Sequence, residues 1–338
     1  MRESAQPLLE VENLATHIPA RGGVVRAVDG VSFTLQRGET LAIVGESGSG
    51  KSMLCRTILG LLPRRAQLSD SGRIVFEGQD LRQVSRRELM RIRGKEIAVI
   101  LQDPMSSLNP VMKIGKQIAE PLRYHLGLKG QSARERAIAL LDSVGLPQPE
   151  KKVDAYPHQL SGGMRQRVAI ATALACDPKL LIADEPTTAL DVTVQAEILN
   201  LLDRLRAERN MGLILVTHDL GVVAGRAQHT AVMYAGRIVE QAPTGELFSN
   251  MRMPYTRALI DSIPRLEDSP GTRLNTICGQ PPDLTAPSTG CRFAPRCPGA
   301  LGWCFAEEPP LEQDANNPEH RFACWDPLEK ELARKGAA

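Results

Sequence analysis

The chain has 338 residues, of which 42% are hydrophobic, 24% charged and 4% aromatic, and its formal net charge is +2 at pH 7. This length allows one large domain with an additional segment, or two domains, and the small net charge gives no electrostatic reason to expect nucleic acid as a partner. No apolar run approaches the roughly 20 residues needed to cross a bilayer, and residues 1–10 lack the apolar stretch of a signal peptide, so we expect a cytoplasmic protein.

The first hundred residues predict several strands and one helix. Segments that alternate apolar and polar residues are typical of half-buried strands, and an unbroken aliphatic run is typical of a strand buried on both faces. The predicted strands are Leu8–Leu14, Val31–Leu35, Leu41–Val44, Arg73–Phe76 and Ile97–Leu101, and a helix is predicted over Lys51–Leu62.

From about Pro110 to Asp177 the pattern becomes helical with arginine-rich outer faces, and strand-like runs then resume. Helices are predicted over Gln131–Val144, Gly162–Ala175, Gln195–Glu208 and Pro254–Ser262, and strands over Lys179–Ala183, Gly212–Thr217 and His229–Tyr234. Strands separated by helices indicate an α/β protein with a mostly parallel sheet and a helical insertion in its middle.

The segment between the third predicted strand and the first predicted helix fits the phosphate-binding loop pattern GxxxxGK[ST]. Its residues are Gly45, Glu46, Ser47, Gly48, Ser49, Gly50, Lys51 and Ser52. Glycines let successive backbone N–H groups converge on phosphate oxygens, and the helix N-terminus adds a favourable partial charge. We expect Lys51 to reach the β- and γ-phosphates of ATP and the Ser52 hydroxyl to ligate Mg²⁺.

A second candidate element is the predicted buried strand that ends in two carboxylates, Asp184 and Glu185. In a P-loop enzyme, Asp184 would hold Mg²⁺ through water as the second metal anchor. Glu185, one residue further on, is placed to polarise the attacking water as a general base. Together with the phosphate loop, this strand predicts an ATP-hydrolysing site.

The segment Leu160–Arg167, with the sequence LSGGMRQR, resembles the signature sequence of ABC ATPases, whose usual form is LSGGQ. Met164 stands where that family usually has glutamine. The Ser161 hydroxyl and the amides of Gly162 and Gly163, at the start of a predicted helix, would form a second anion site. The resemblance extends from about Leu8 to Ser262.

Other elements of the ABC family follow in the same order. Gln102 is similar to the Q-loop glutamine, which touches Mg²⁺ and water while following the movement of the membrane partner. Ala189–Asp191 resembles the D-loop, and His218 matches the switch histidine that contacts the γ-phosphate. Where the family places an aromatic ring on adenine, this chain has His17 and Ile18.

The resemblance implies a P-loop NTPase (RecA-like) core over residues 1–264, with an antiparallel β subdomain and a helical subdomain at about 107–177. It also implies a head-to-tail pair of ATPase subunits, identical or homologous, that encloses two ATP molecules. In such a pair the phosphate loop of one subunit and the Ser161 turn of the other grip the same triphosphate, and ATP hydrolysis reopens the pair.

Residues 265–338 form a predicted small, irregular extension that contains Cys291, Cys297, Cys304 and Cys324. Five, six and nineteen residues separate the successive cysteines. Four thiolates at this spacing suit a [4Fe–4S] cluster or Zn²⁺, and the lack of close CxxC pairs favours the cluster. Disulfides are the alternative, which a reducing compartment disfavours.

This extension resembles the C-terminal extension of oligopeptide and dipeptide importer ATPases, several of which are similar in carrying a [4Fe–4S] cluster there. Asp103–Pro110 and Met253–Thr256 also look like that subfamily. The resemblance implies ATP-driven peptide uptake at the cytoplasmic face of the inner membrane. It also implies two transmembrane permease subunits and, indirectly, an extracytoplasmic peptide-binding protein as partners.

Other functions fit part of this pattern. Nickel importers share much of it, so an importer of nickel or another small solute is one alternative. A soluble ABC ATPase of DNA repair or ribosome regulation usually has a long coiled coil or two cassettes, and neither is present here. A metal-sensing module would be expected to have a degenerate ATP site, whereas Lys51, Asp184, Glu185 and His218 are intact.

Overall fold

A computed structural model of the chain describes residues 6–69, 71–102, 107–188, 190–263, 276–285 and 289–328. Residues 103–106 of the predicted subfamily motif, Ala189 of the predicted D-loop and residues 264–275, across the predicted start of the extension, lie outside this described part. Within it, no helix is both long enough and apolar enough to span a membrane.

The chain forms two compact units. Unit 1 comprises Met1–Leu8, Leu35–Glu39 and Phe76–Val216, and unit 2 comprises Leu9–Thr34, Thr40–Val75 and Thr217–Ala338. The strands are β1 Leu9–Ala20, β2 Gly23–Leu35, β3 Thr40–Val44, β4 Gln67–Leu68, β5 Arg73–Phe76, β6 Gln79–Asp80, β7 Ile97–Ile100, β8 Leu180–Asp184, β9 Gly212–Thr217, β10 His229–Tyr234, β11 Arg237–Pro243, β12 Glu312–Asp314 and β13 Asn317–Phe322. The helices are α1 Lys51–Ile58, α2 Arg86–Ile92, α3 Ile114–Leu126, α4 Gly130–Ser143, α5 Pro149–Lys152, α6 Gly162–Ala173, α7 Val192–Arg209, α8 Leu220–Val223, α9 Thr244–Ser249 and α10 Pro254–Asp261.

The core of unit 1 is a parallel arrangement of β7, β8 and β9. Ile97 lies opposite Leu180, and Leu180 lies opposite Gly212. All residues of β8 and β9 are buried, as expected for parallel strands that are covered on both faces. This confirms the predicted strands in this part of the chain.

Helices α3 to α6 lie between β7 and β8 in the chain, which confirms the predicted helical insertion. In α3 the residues Ile114, Ile118 and Leu122 are buried, and their spacing of four places them on one face. Pro121 lies inside this helix. Because proline disfavours helix interiors, this helix was not predicted from the sequence.

Unit 2 contains a sheet in which β3 pairs in parallel with β10, and β10 pairs with β11 in an antiparallel hairpin. A second sheet places β1 between β2 and β5, and β1 also pairs antiparallel with β4. Helix α1 ends at Ile58, whereas the sequence predicted a helix that continues to Leu62. Gly60 has a φ of 60°, a left-handed conformation that stops the helix before Pro63.

The extension is more regular than the sequence predicted, because it adds a β-hairpin to unit 2. β12 and β13 pair antiparallel, and β13 pairs antiparallel with β11 so that Phe322 lies opposite Glu240. At this junction, Nε2 of His320 lies 2.8 Å from a carboxylate oxygen of Glu240, and both side chains are fully buried. Strand β12 has only three residues, which is too short for an alternation of apolar and polar residues to be recognised in the sequence.

Candidate functional site

The phosphate loop connects β3 to α1, as predicted, and its glycines are required by close backbone contacts in unit 2. A Cβ atom added at Gly45 would lie 2.1 Å from the carbonyl oxygen of Met233. At Gly50, which has a φ of 105°, an added Cβ would lie 2.1 Å from the carbonyl oxygen of Ala27. Both contacts are shorter than any real side chain tolerates, so larger residues would displace the loop.

The Lys51 side chain is buried within the same loop, with 4% of the residue exposed. Its Nζ donates to the carbonyl oxygens of Gly45 and Glu46 at 2.7 and 2.9 Å. The N–H of Glu46 donates in turn to the hydroxyl oxygen of Tyr255 at 2.9 Å. The loop is thus fixed by its own lysine and by a tyrosine from α10, and it presents Ser47 and Gly48 as exposed residues.

The second candidate element is the end of β8 in unit 1. Asp184 and Glu185 are buried, with 4% and 9% exposed. Glu185 has a φ of 47°, an uncommon conformation for a residue with a side chain, and its N–H donates to the carbonyl oxygen of Val216 at 3.0 Å. This hydrogen bond to β9 holds the strained residue in place.

The carboxylate of Glu185 is oriented by two neighbours in unit 1. Nε2 of Gln102 donates to Oε2 of Glu185 at 2.9 Å, and Oγ1 of Thr188 donates to the same oxygen at 3.0 Å. The structure therefore brings together two residues that the sequence predicted separately, Gln102 and Glu185. Thr188 was not predicted, although its position three residues after Glu185, on a turn, places its side chain beside the carboxylate.

The predicted signature turn begins helix α6 in unit 1. Ser161 is the N-cap residue, and its hydroxyl oxygen accepts a hydrogen bond from the N–H of Met164 at 3.3 Å. Ser161 and Gly162 are exposed. At Gly163 an added Cβ would lie 2.7 Å from a methyl group of Val194 on α7, so a small residue is required there. Met164 contacts Lys152, whose Nζ lies 3.3 Å from the sulfur.

His218 belongs to unit 2, follows β9 directly and is exposed. The next residue, Asp219, caps helix α8 by accepting a hydrogen bond from the N–H of Gly221 at 2.8 Å, and its own N–H donates to the hydroxyl of Thr217 at 3.0 Å. These bonds fix the backbone on the C-terminal side of the predicted switch histidine. Of the predicted residues, the phosphate loop and His218 lie in unit 2, whereas Gln102, Asp184, Glu185 and the Ser161 turn lie in unit 1.

His17, at the position where an adenine contact is predicted, is about one-third exposed and lies 3.3 Å from Asp29. Asp29 also pairs with Arg237 at 3.2 Å and with Arg292 of the extension. Burial alone would raise the pKa of Asp29, but the Arg292 hydrogen bond and the charges of Arg237 and Arg292 lower this pKa to about 2. The imidazole thus faces a carboxylate that is ionised at neutral pH.

The four cysteines of the extension lie around a single cavity of 310 Å³ in unit 2. The N–H of Cys291 donates to the carbonyl oxygen of Cys304 at 2.7 Å, which holds two of these segments together. Burial raises the pKa of the Cys324 thiol to about 12. None of the four is in a disulfide. Among the described residues, no three His, Cys, Asp or Glu side chains are close enough together to bind one metal ion.

Two family descriptions match the chain. The ABC transporter family matches residues 28–188, and the C-terminal region of oligopeptide/dipeptide transporters matches residues 239–304. The oligopeptide transport ATP-binding protein OppD of Bacillus subtilis (strain 168) is 53% identical over 304 residues, which cover 90% of this chain and 85% of that protein. The chain is an ABC transporter ATPase of the oligopeptide/dipeptide group.

One further relative of this ABC ATPase is named for peptide import, and two solved structures share the ABC cassette fold. A putative peptide import ATP-binding protein of Brucella abortus (strain 2308) is 49% identical over 335 residues, which cover 96% of this chain and 99% of that protein. A dimeric structure of the ATP-binding cassette MJ0796 in a post-hydrolysis state with ADP and Pi has a TM-score of 0.62 and 28% identity, covering 70% of this chain and 98% of that one. The cbiO1 structure from Clostridium perfringens has a TM-score of 0.62 and 31% identity, covering 72% of this chain and 91% of that one.

These comparisons confirm the predicted ABC ATPase fold of the core and the predicted ATPase activity of the chain. The roles of individual residues in this ABC ATPase stay predictions, as does the domain boundary at residue 264. The match to the oligopeptide/dipeptide C-terminal region begins at residue 239, within β11, and ends at Cys304. Hairpin β12–β13 and Cys324 lie beyond it.

Proposed function

We propose that this chain is the ATP-hydrolysing subunit of an importer that takes up dipeptides or oligopeptides across the cytoplasmic membrane. The observation that carries the proposal is the match of residues 239–304 to the C-terminal region of oligopeptide/dipeptide transporters. Relatives named for oligopeptide transport and peptide import, at 53% and 49% identity, support it. Lys51, Asp184 and Glu185 are all present, and they are the residue types that ATP hydrolysis in a P-loop enzyme needs.

The proposed cycle assigns a role to the phosphate loop, Gln102, Asp184, Glu185, His218 and the Ser161 turn. The phosphate loop would bind the triphosphate, and Ser52, Gln102 and, through water, Asp184 would hold Mg²⁺, which when bound neutralises charge on the phosphates. Glu185 accepts a proton from the attacking water, and His218 contacts the γ-phosphate. The exposed Ser161 turn of a second subunit, identical or homologous, covers the other side of ATP.

We propose two permease subunits as the membrane partners, and the helical insertion of unit 1 offers a groove for them. The groove lies between α3 and α4 and has a volume of 810 Å³. It is lined by charged residues of both signs, namely Lys113, Lys116, Glu120, Arg123, Arg134 and Asp154. Tyr124 lines the groove and Val111 directly precedes the lining residue Met112, and these two apolar residues are 64% and 82% exposed.

This combination suits a short amphipathic segment of a membrane protein, because apolar residues supply affinity and the mixed charges supply orientation. Tyr124→Ala together with Val111→Ser should reduce co-purification of the permease subunits from membranes. Val24→Ala, which changes an exposed apolar residue on β2, is the matched control. Equal recovery of permeases with both variants would exclude the groove as their docking site.

We also propose that the four cysteines hold a [4Fe–4S] cluster, and the cavity they share supports this proposal. A single tetrahedral zinc ion needs four sulfurs about 2.3 Å from one point, and the described residues form no such group. A [4Fe–4S] cluster binds each thiolate through a different iron atom, so its four sulfurs lie farther apart than the ligands of one zinc ion, and the shared cavity is the observation that supports it. When bound, the cluster would tie together Cys291, Cys297, Cys304 and Cys324.

Metal analysis of the anaerobically purified protein tests the cluster. We expect about four iron atoms and four sulfides per chain and a brown colour, with both lost in Cys304→Ser. Cys278→Ser is the matched control, because Cys278 is exposed and lies outside the cavity. A colourless protein that contains one zinc ion would reject the cluster and favour the zinc alternative.

Uptake measurements test the cargo. A strain that lacks this gene should lose uptake of a labelled tripeptide, and the wild-type gene should restore it while Lys51→Ala does not. Nickel uptake, measured in the same strains, is the competing outcome. Restored nickel uptake without peptide uptake would reject the peptide proposal and leave the ATPase assignment intact.

A further inference from the structure

The cysteine-rich extension contacts the phosphate loop directly through Arg296. Nη1 of Arg296 lies 2.7 Å from Oε2 of Glu46, and Nη2 lies 2.9 Å from Oε1. The guanidinium and the carboxylate therefore form two parallel hydrogen bonds, the geometry in which arginine binds carboxylates most strongly. Arg296 directly precedes Cys297, and Glu46 is the second residue of the phosphate loop.

Several contacts hold the Arg296 side chain in place, whereas the side chains of most surface ion pairs are solvent-exposed. Its side chain is 3% exposed. Its Nε donates to the carbonyl oxygen of Cys278 at 2.9 Å, and Nη1 also lies 3.3 Å from the hydroxyl of Tyr234. The guanidinium carbon lies 5.9 Å from the centre of the Tyr234 ring. The hydrogen bonds that Arg296 donates to the carboxylate of Glu46 raise the pKa of Arg296 above its usual value.

The backbone of Glu46 makes a second contact that fixes this residue. The N–H of Glu46 donates to Tyr255, and the Tyr255 ring packs against Tyr234 and Phe293 at centroid distances of 4.5 and 5.3 Å. Phe293, like Arg296, belongs to the extension and is buried. The extension thus contributes both an ion pair and part of an aromatic cluster to the support of Glu46.

The charge of Glu46 gives this contact a consequence for nucleotide binding. A phosphate loop attracts a highly anionic triphosphate with backbone N–H groups and one lysine, and a carboxylate within the loop opposes that attraction. Arg296 neutralises this carboxylate. Because the Arg296 side chain is buried and that of Glu46 is only 26% exposed, removal of the arginine alone would leave a partly buried Glu46 without its compensating charge.

We propose that Arg296 is a positioning residue of the ATP site, which neutralises Glu46 and fixes the phosphate loop in the conformation that binds the triphosphate. The extension is therefore part of the nucleotide site and not a separate appendage. The proposal requires that the chain binds ATP. It does not depend on the cargo or on which metal the cysteines bind.

A double-mutant cycle on the full-length chain tests this role, with the dissociation constant of Mg–ATP measured by calorimetry. In the wild-type background, Arg296→Ala should weaken ATP binding about tenfold. In the Glu46→Gln background, the same Arg296→Ala change should weaken it less than about twofold, because the carboxylate to be neutralised is gone. A merely structural role of Arg296 predicts equal losses in the two backgrounds, and that result would overturn the proposal.

Two further variants keep the test decisive if Arg296→Ala folds poorly. Arg296→Lys keeps the charge but not the paired hydrogen bonds. Its affinity for ATP should therefore lie between that of the wild type and that of Arg296→Gln. Arg321→Ala is the matched control, because Arg321 is an extension arginine whose guanidinium bonds Leu311, not the phosphate loop. Wild-type affinity in both Arg296→Lys and Arg296→Gln would also overturn the proposal.

Discussion

The phosphate loop and the cysteine-rich extension lie in the same unit, yet they rely on different kinds of contact. The hydrogen bonds of the loop lysine are local, since Nζ of Lys51 donates to the carbonyl oxygens of Gly45 and Glu46. The extension acts at long range, through Arg296 on Glu46 and His320 on Glu240. We infer that the motif residues perform the chemistry, whereas the extension stabilises and orients them.

The largest effect is expected at a motif residue. Glu185→Gln should lower ATP turnover about a thousandfold, because the amide cannot accept a proton from the attacking water. ATP binding should persist, since the substitution removes no phosphate contact. Turnover is measured by phosphate release, and size-exclusion chromatography with ATP should show an accumulated subunit pair. Normal hydrolysis by this variant would remove Glu185 from the role of general base.

A large effect on stability, in contrast, is expected in the extension. His320→Ala should lower the free energy of unfolding by about 3 kcal/mol, because it leaves a buried carboxyl group without its imidazole partner. Glu240 also accepts from the N–H groups of Arg252 and Met253, so its orientation depends on this junction. Urea unfolding measures the change. Glu319→Ala, at an exposed residue of the same strand, should change stability by less than about 0.5 kcal/mol.

The same contrast explains what the sequence could and could not predict. Predicted strands Arg73–Phe76, Gly212–Thr217 and His229–Tyr234 have the observed bounds, because continuous apolar runs and flanking turn residues are local signals. The phosphate loop, Asp184–Glu185 and the Ser161 helix start were also located, since each is a short motif tied to one element. Their long-range partners were not, because 250 positions separate Arg296 from Glu46 and no periodicity connects them.

A moderate, pH-dependent effect is expected at Asp29, which receives Arg292 from the extension. The folded-state pKa of about 2 lies below the ordinary value of 3.8. The ionised carboxylate therefore contributes about 2 kcal/mol of stability above pH 4. This contribution is lost as the pH falls from about 4 through about 2, where the carboxyl becomes protonated in the folded state as well.

Urea unfolding of wild type and Asp29→Asn at several pH values measures this contribution. The two proteins should differ most at pH 5 to 7 and converge only as the pH falls to about 2, the folded-state pKa of Asp29. Asp142→Asn controls for the general loss of a carboxylate. A difference between wild type and Asp29→Asn that is independent of pH would show that the Arg292 pair does not lower the pKa of Asp29.

The smallest effect is expected at Thr188, which the structure, and not the sequence, places beside the carboxylate of Glu185, the proposed general base. Its hydroxyl and the Gln102 amide both donate to Oε2 of Glu185. Thr188→Ala removes one of these two donors, so turnover should fall about fivefold, corresponding to the roughly 1 kcal/mol of one hydrogen bond. Thr188→Ser keeps the hydroxyl and should retain most of the activity. If both variants lose the same turnover, the methyl group of Thr188, and not its hydrogen bond, orients Glu185.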